Sequence, residues 1–108
     1  MNAVLFHGTT EQRWAAIQAT GAIRPAKIGV KVVSMTTERS VAEYFATNSN
    51  LTDHGGNVIL QIDAAALERD GYKLKPFSDP VWGEGKCDWE CEVICRRRIP
   101  LSYVTRIT

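Results

Sequence analysis

Long hydrophobic runs are missing from this sequence of 108 residues. No window approaches the ~20 apolar residues that a membrane-spanning helix needs. Met1 to Phe6 has no basic region ahead of its short apolar stretch, so no export signal is read. An excess of charge of one sign is lacking too. Thirteen Lys and Arg against twelve Asp and Glu leave a net charge of +1, which gives no general electrostatic footprint for nucleic acid or an anionic membrane. Cysteine is scarce. Cys87, Cys91 and Cys95 are an odd number in one segment, so they close no intrachain framework, and they offer no fourth ligand to a tetrahedral metal. They read as reduced, and the chain therefore as cytoplasmic. No Gly-x-Gly-x-x-Gly follows the first strand, and Gly83-Glu84-Gly85 falls in a late loop, which argues against dinucleotide binding of the Rossmann kind. Internal repeats and low-complexity tracts are absent as well.

What is present, 44% apolar and 23% charged residues, suits one domain over residues 1–108 with a single modest core. Ala3 to His7 reads as a short buried strand ended by Gly8 and Thr9-Thr10. Thr9 with Gln12 has capping-box spacing, Trp14 with Ile17 gives the helical period, and Gly21 is a stop, so a first helix is expected from Glu11 to Thr20. Ile23 to Gly29 contains Pro25 and reads as a loop; Lys31 to Thr36 is β-branched and strand-like. Thr37 is a candidate cap for a second helix ending near Asn48, with Val41 and Phe45 as its i, i+4 apolar pair.

Asn48 to Asn57 has the composition of a surface loop, and Val58 to Ile62 that of a buried strand. Asp63 can cap a short helix from Ala64 to Asp70, stopped by Gly71, before a weaker strand from Tyr72 to Phe77. Ser78 to Lys86 carries Pro80, Gly83 and Gly85 and reads as a loop. Ile99-Pro100 starts a turn, and Val104 to Ile107 is a final edge strand. Strands outnumber helices in this order, which predicts an α+β fold with a mixed or antiparallel sheet.

The stretch from Asp88 to Cys95 is the one most suggestive of chemistry. In an extended strand Trp89, Cys91, Val93 and Cys95 share one face, and Asp88, Glu90, Glu92 and Ile94 the other. Two acids one pleat apart repel each other, so the pair is tolerated in water or kept for a reaction. His7 at a strand end, before Gly8 and Thr9, would set an imidazole beside backbone amides that can hold a polar ligand. Arg96-Arg97-Arg98 is the one locally basic run; it reads first as a guard on a sheet edge and second as a phosphate contact.

Three separated pieces together resemble the ADP-ribosyltransferase fold family: Phe6-His7-Gly8-Thr9, then Ser34-Met35-Thr36-Thr37 leading into Ser40 to Ala46, then Glu90-Cys91-Glu92-Val93. The resemblance implies split, mostly antiparallel sheets, with NAD as co-substrate in the cleft between them and no metal. By position it implies Glu92 as the catalytic glutamate, bound to a ribose 2′-hydroxyl, and Glu90 as the group that activates an acceptor. His7, Gly8, Thr9, Ser34, Thr36 and Tyr44 would then contact NAD. Within that set His7 would bond the other ribose, Gly8 would offer its backbone to the nicotinamide amide, and Tyr44 would stack on the ring. Either Ser34 or Thr36 would support the glutamate.

The histidine belongs to one branch of that family, while the Ser-x-Thr and Glu-x-Glu pieces belong to another, so the acceptor stays open. The resemblance leads to a mono-ADP-ribosyltransferase acting on a protein or nucleic acid, in the manner of small bacterial or phage toxins. The alternatives are an NAD glycohydrolase, an enzyme like the NAD-dependent RNA 2′-phosphotransferases of the same fold, and a module that only binds NAD or ADP-ribose.

Overall fold

A computed structural model of the chain describes residues 3–27, 31–49, 57–76 and 92–108. Glu90, Cys87, Cys91 and Trp89, the Ser78 to Lys86 loop and most of the Asn48 to Asn57 loop lie outside the described residues. The elements, in chain order, are β1 (Val4–Thr10), α1 (Glu11–Thr20), β2 (Ala22–Ile23), β3 (Val33–Thr36), α2 (Arg39–Ser49), β4 (Asn57–Asp63), α3 (Ala64–Arg69), β5 (Lys75–Pro76), β6 (Glu92–Cys95), β7 (Ile99–Pro100) and β8 (Val104–Arg106). A single 3-10 turn, Leu101–Tyr103, joins the last two strands.

Six strands form one sheet in the order β5-β6-β3-β1-β4-β8, and β2 pairs with β7 in a separate ribbon. Every pairing among the described strands is antiparallel. The fold is thus α+β with three short helices, as the order of apolar patterns predicts. No helix among the described residues is long and apolar enough to cross a membrane.

Leu5 and Phe6, adjacent on β1, point to opposite faces of the sheet. On the Leu5 face a core gathers Val33, Met35, Leu60, Ile62, Val93 and Cys95, with Trp14 and Ile17 of α1 packed at its border. On the Phe6 face Ala42 and Ala46 of α2 pack with Ile59. The alternation proposed for the last acidic strand is visible here: Val93 and Cys95 belong to the core, while Glu92 is only half-buried. Ile94, expected on the carboxylate side, is itself buried.

The side of β1 that meets α2 is built around Gly8. A Cβ at Gly8 would lie 1.9 Å from the Ala42 carbonyl oxygen and 3.1 Å from the Ala46 amide nitrogen. The helix backbone therefore rests directly on the strand, and the small side chains of Ala42 and Ala46 permit the approach.

Several boundaries differ from the sequence expectation, each for a local reason. The α1 cap is Thr10, whose hydroxyl accepts the Arg13 N–H at 3.2 Å, and not Thr9, because β1 runs to Thr10, three residues beyond the expected end at His7, and keeps Thr9 buried. Gly21 closes the helix as expected, with φ 79° and its N–H donated to the Ile17 carbonyl at 2.8 Å. Just ahead of α2, where Thr37 was expected to cap, the Thr36 hydroxyl accepts from the Glu38 N–H at 3.0 Å.

The Ile23 to Gly29 loop and the Ile99-Pro100 turn conceal the small ribbon, which pairs Ala22 with Pro100 and Ile23 with Ile99. Strands of two residues are too short for alternation to register, and proline is tolerated at such an edge. Of the strand expected from Tyr72 to Phe77, Lys75–Pro76 is strand among the described residues, and Phe77 lies outside them.

Because a side chain at position 8 would collide with helix backbone, Gly8→Ala must push α2 away from β1. Thermal unfolding should show the variant destabilised by about 2–3 kcal/mol, the upper range for overpacking, or a fall in Tm of ~10 °C or more. An unchanged Tm would contradict the close approach.

Candidate functional site

The central strand β1 is joined unequally to its neighbours. Seven residue pairs, Val4↔Asp63 to Thr10↔Asn57, zip it to β4. On the other side β1 pairs with β3 at Phe6↔Thr36, and β3 pairs with β6 from Thr36↔Glu92 to Val33↔Cys95. Phe6, Thr36 and Glu92 therefore lie in one row across three strands, with Glu92 roughly 10 Å from β1 at ordinary strand spacing. Beyond that row β1 and β3 open into a cleft.

The side chain of His7 bridges the opening. Its Nδ1 lies 2.7 Å from the Ser34 carbonyl oxygen. A carbonyl can only accept, so Nδ1 carries the proton and donates. Loss of water around the packed ring lowers the His7 pKa below 6.5; the bond to Ser34 opposes this, and the positive charge of Arg13 adds to it. At neutral pH the imidazole is therefore uncharged, with Nε2 as its hydrogen-bond acceptor.

Two cavities meet at this opening. The larger, about 560 Å³, lies on the α1 side and is bounded by Arg13, Ile17, Ile23, Arg24, Lys27 and Val33 among others. The smaller, about 300 Å³, lies on the α2 side against Val41, Ala42 and Phe45. His7, Gly8, Ser34 and Glu92 line both. Glu92 and the neutral imidazole thus border both parts of the joint cleft, three cationic residues line the larger part, and Val41 and Phe45 line the smaller.

Of the residues singled out from the sequence, His7, Gly8, Ser34 and Glu92 are brought together at the opening. Thr9 is buried and borders the larger cavity, while Thr36, also buried, borders the smaller one and holds the start of α2 through Glu38. Tyr44 is 62% exposed and borders neither cavity; its ring meets Phe45 edge to face at 5.7 Å. Phe45 and Val41 take the place at the cleft wall that the sequence reading reserved for Tyr44. The i, i+4 pair of Val41 and Phe45 read from the sequence already marks this side of α2 and separates it from Tyr44, although the pair by itself reads as packing and not as a cleft wall.

Arg13, Arg24 and Lys27 were also missed. Arg13 reaches the cleft from the first turn of α1, and Arg24 and Lys27 reach it after the chain turns back at Gly21 into β2, an arrangement not legible as a motif. Among the described residues no three His, Cys, Asp or Glu side chains converge to hold a metal ion.

No family model matches the chain, and no curated protein matches it.

The titration of His7 has a stability consequence. Its pKa in the folded chain lies below the 6.5 of the free side chain, so the unfolded chain binds more protons between those two values. The contribution of His7 is present in full above about pH 6.5 and is lost as pH falls through the lowered folded value. Denaturant unfolding at a series of pH values should show stability rising with pH across that window in the native chain. In His7→Asn the rise should flatten. An equal rise in the two proteins would assign it to another group.

Proposed function

We propose that this chain is an NAD-dependent ADP-ribosyltransferase that passes ADP-ribose from NAD to a macromolecular acceptor and releases nicotinamide. The observation that carries the reading is the convergence of His7, Gly8, Ser34 and Glu92, distant in sequence, on a single cleft. The same split beyond Phe6↔Thr36 supports the finer reading of the fold, in which two halves of an ADP-ribosyltransferase-like sheet diverge around the ligand.

The residues suit the substrate by type. Val41 and Phe45 make an apolar wall for a nicotinamide ring. Arg13, Arg24 and Lys27 supply positive charge for a pyrophosphate at the other end. The unprotonated Nε2 of His7 can accept a ribose hydroxyl, and its orientation is fixed from behind by the Ser34 carbonyl.

Glu92 would face the reacting ribose. As the bond between C1′ and the nicotinamide nitrogen breaks, its electron pair leaves with neutral nicotinamide, and positive charge develops on C1′ and the ring oxygen. A carboxylate bonded to the 2′-hydroxyl stabilises that charge, as carboxylates do in glycoside cleavage. An acceptor lone pair then forms the new bond to C1′, and the acceptor's proton is lost to a base, the role proposed for Glu90. If water is the acceptor, the same steps make the chain an NAD glycohydrolase.

A second reading, RNA 2′-phosphotransfer, is favoured by one observation. The three cations at the cleft suit an RNA 2′-phosphate as well as a pyrophosphate.

Purified protein incubated with NAD, alone and with cell lysate, should release nicotinamide measurable by chromatography. Removing the Glu92 charge while keeping its shape, as in Glu92→Gln, should lower the rate by about 100-fold or more, the usual effect of losing one electrostatic stabiliser. Turnover unaffected by that change would sink the assignment. No release with NAD alone or with lysate, but dephosphorylation of a 2′-phosphorylated RNA that needs NAD, would establish the second reading.

A further inference from the structure

The Arg96-Arg97-Arg98 run is not part of the cleft, and the fold gives it company. Lys73, Lys75, Arg96 and Arg97 line a separate cavity of about 300 Å³ floored by Ile94 and Cys95. Among the described residues no carboxylate lines it. β5 is the edge strand of the main sheet, paired to β6 with Lys75 opposite Ile94. Just beyond that ladder the Arg97 guanidinium lies 4.1 Å from the centre of the Tyr72 ring.

Lysines on an edge strand ordinarily serve to keep other strands away. That role does not call for four cationic residues around one recess with no carboxylate among its described lining, and like charges brought close together repel. Four cations gathered around one recess therefore point to an anion that neutralises them.

We propose that this cavity is a second ligand site, which takes the phosphodiester backbone of a single-stranded nucleic acid. Lys73 and Lys75, two residues apart in the chain, both line the recess and offer successive charges to a backbone that carries them in series. Arg97, held flat against Tyr72, presents a planar fork suited to paired phosphate oxygens. A duplex meets a recess of this size at one point of its convex surface, whereas a single strand can bend into it. The site stands apart from the cleft between β1 and β3 and does not rest on the NAD reading.

The test is fluorescence anisotropy of the full chain with labelled oligouridylate and oligothymidylate at about 50 to 200 mM salt. Both strands should bind equally, since the backbone is their shared chemistry. The logarithm of the affinity should fall linearly with the logarithm of salt, with a slope of about −3, or about −0.7 for each of four contacts. Lys73→Gln combined with Arg96→Gln should weaken binding by about tenfold or more at the low-salt end and flatten the slope by about 1.4. Lys75→Glu, at an exposed position, is an independent variant with the same direction of effect. Arg13→Gln combined with Arg24→Gln, in the other basic cavity, should leave this binding unchanged. Failure to bind either strand would overturn the proposal, as would equal binding of polyglutamate, or a loss that follows Arg13 and Arg24 instead of Lys73 and Arg96.

Discussion

The contact of α2 with β1 at Gly8 is the constraint on which the site depends. With no side chain at that position, the helix backbone at Ala42 and Ala46 lies against the strand, and Val41 and Phe45 are carried to the wall of the cleft beside His7. Seven pairs with β4 fix β1 from its other side. The strand bearing His7 and Gly8 is thus held firmly on one edge and from above, while its remaining edge opens towards β3. Rigid support beside an opening is what a binding site needs, since groups held in place in advance lose little freedom when a ligand arrives.

At the opening, backbone geometry and side-chain chemistry support each other. The Ser34 carbonyl receives the Nδ1 proton of His7, and this fixes the tautomer of the ring. Desolvation and the charge of Arg13 keep the ring neutral near pH 7. Around it, cations gather on the α1 side and apolar groups on the α2 side. The frame is tied together at its far side by a two-pronged ion pair, with Arg106 Nη1 and Nη2 each donating to a Glu11 carboxylate oxygen at 2.7 Å. That link joins edge strand β8 to the start of α1. Being at the surface, it guides geometry more than it adds stability.

Much of the fold was legible because its longer elements carry strong local signals. Val58 to Ile62 is apolar but for Gln61, α1 ends at a glycine with positive φ, and α3 begins at Asp63, whose carboxylate accepts the Ala66 N–H at 3.0 Å. The β2 and β7 ribbon was hidden because two-residue strands have no period and Pro100 argues for a turn. The site divides in the same way. His7, Gly8 and Glu92 sit on strands whose faces can be counted along the sequence. Arg24 and Lys27 meet the cleft only after the chain reverses at Gly21, beside Arg13 on α1, and that reversal leaves no mark on local periodicity. Phe45 and Val41 line the cleft, and Tyr44 does not, on the side of α2 that their i, i+4 spacing marks.

The central claim is that His7, Gly8, Ser34 and Glu92 make one site for one ligand. Titration of isotopically labelled protein with NAD, followed residue by residue in amide NMR spectra, tests it most directly. The account predicts that the resonances of Gly8, Ser34, Phe45 and Glu92 shift together along one saturating curve while those of Lys73 and Arg96 stay in place. Shifts confined to the Lys73 and Arg96 region, or none at all at saturating NAD, would contradict it.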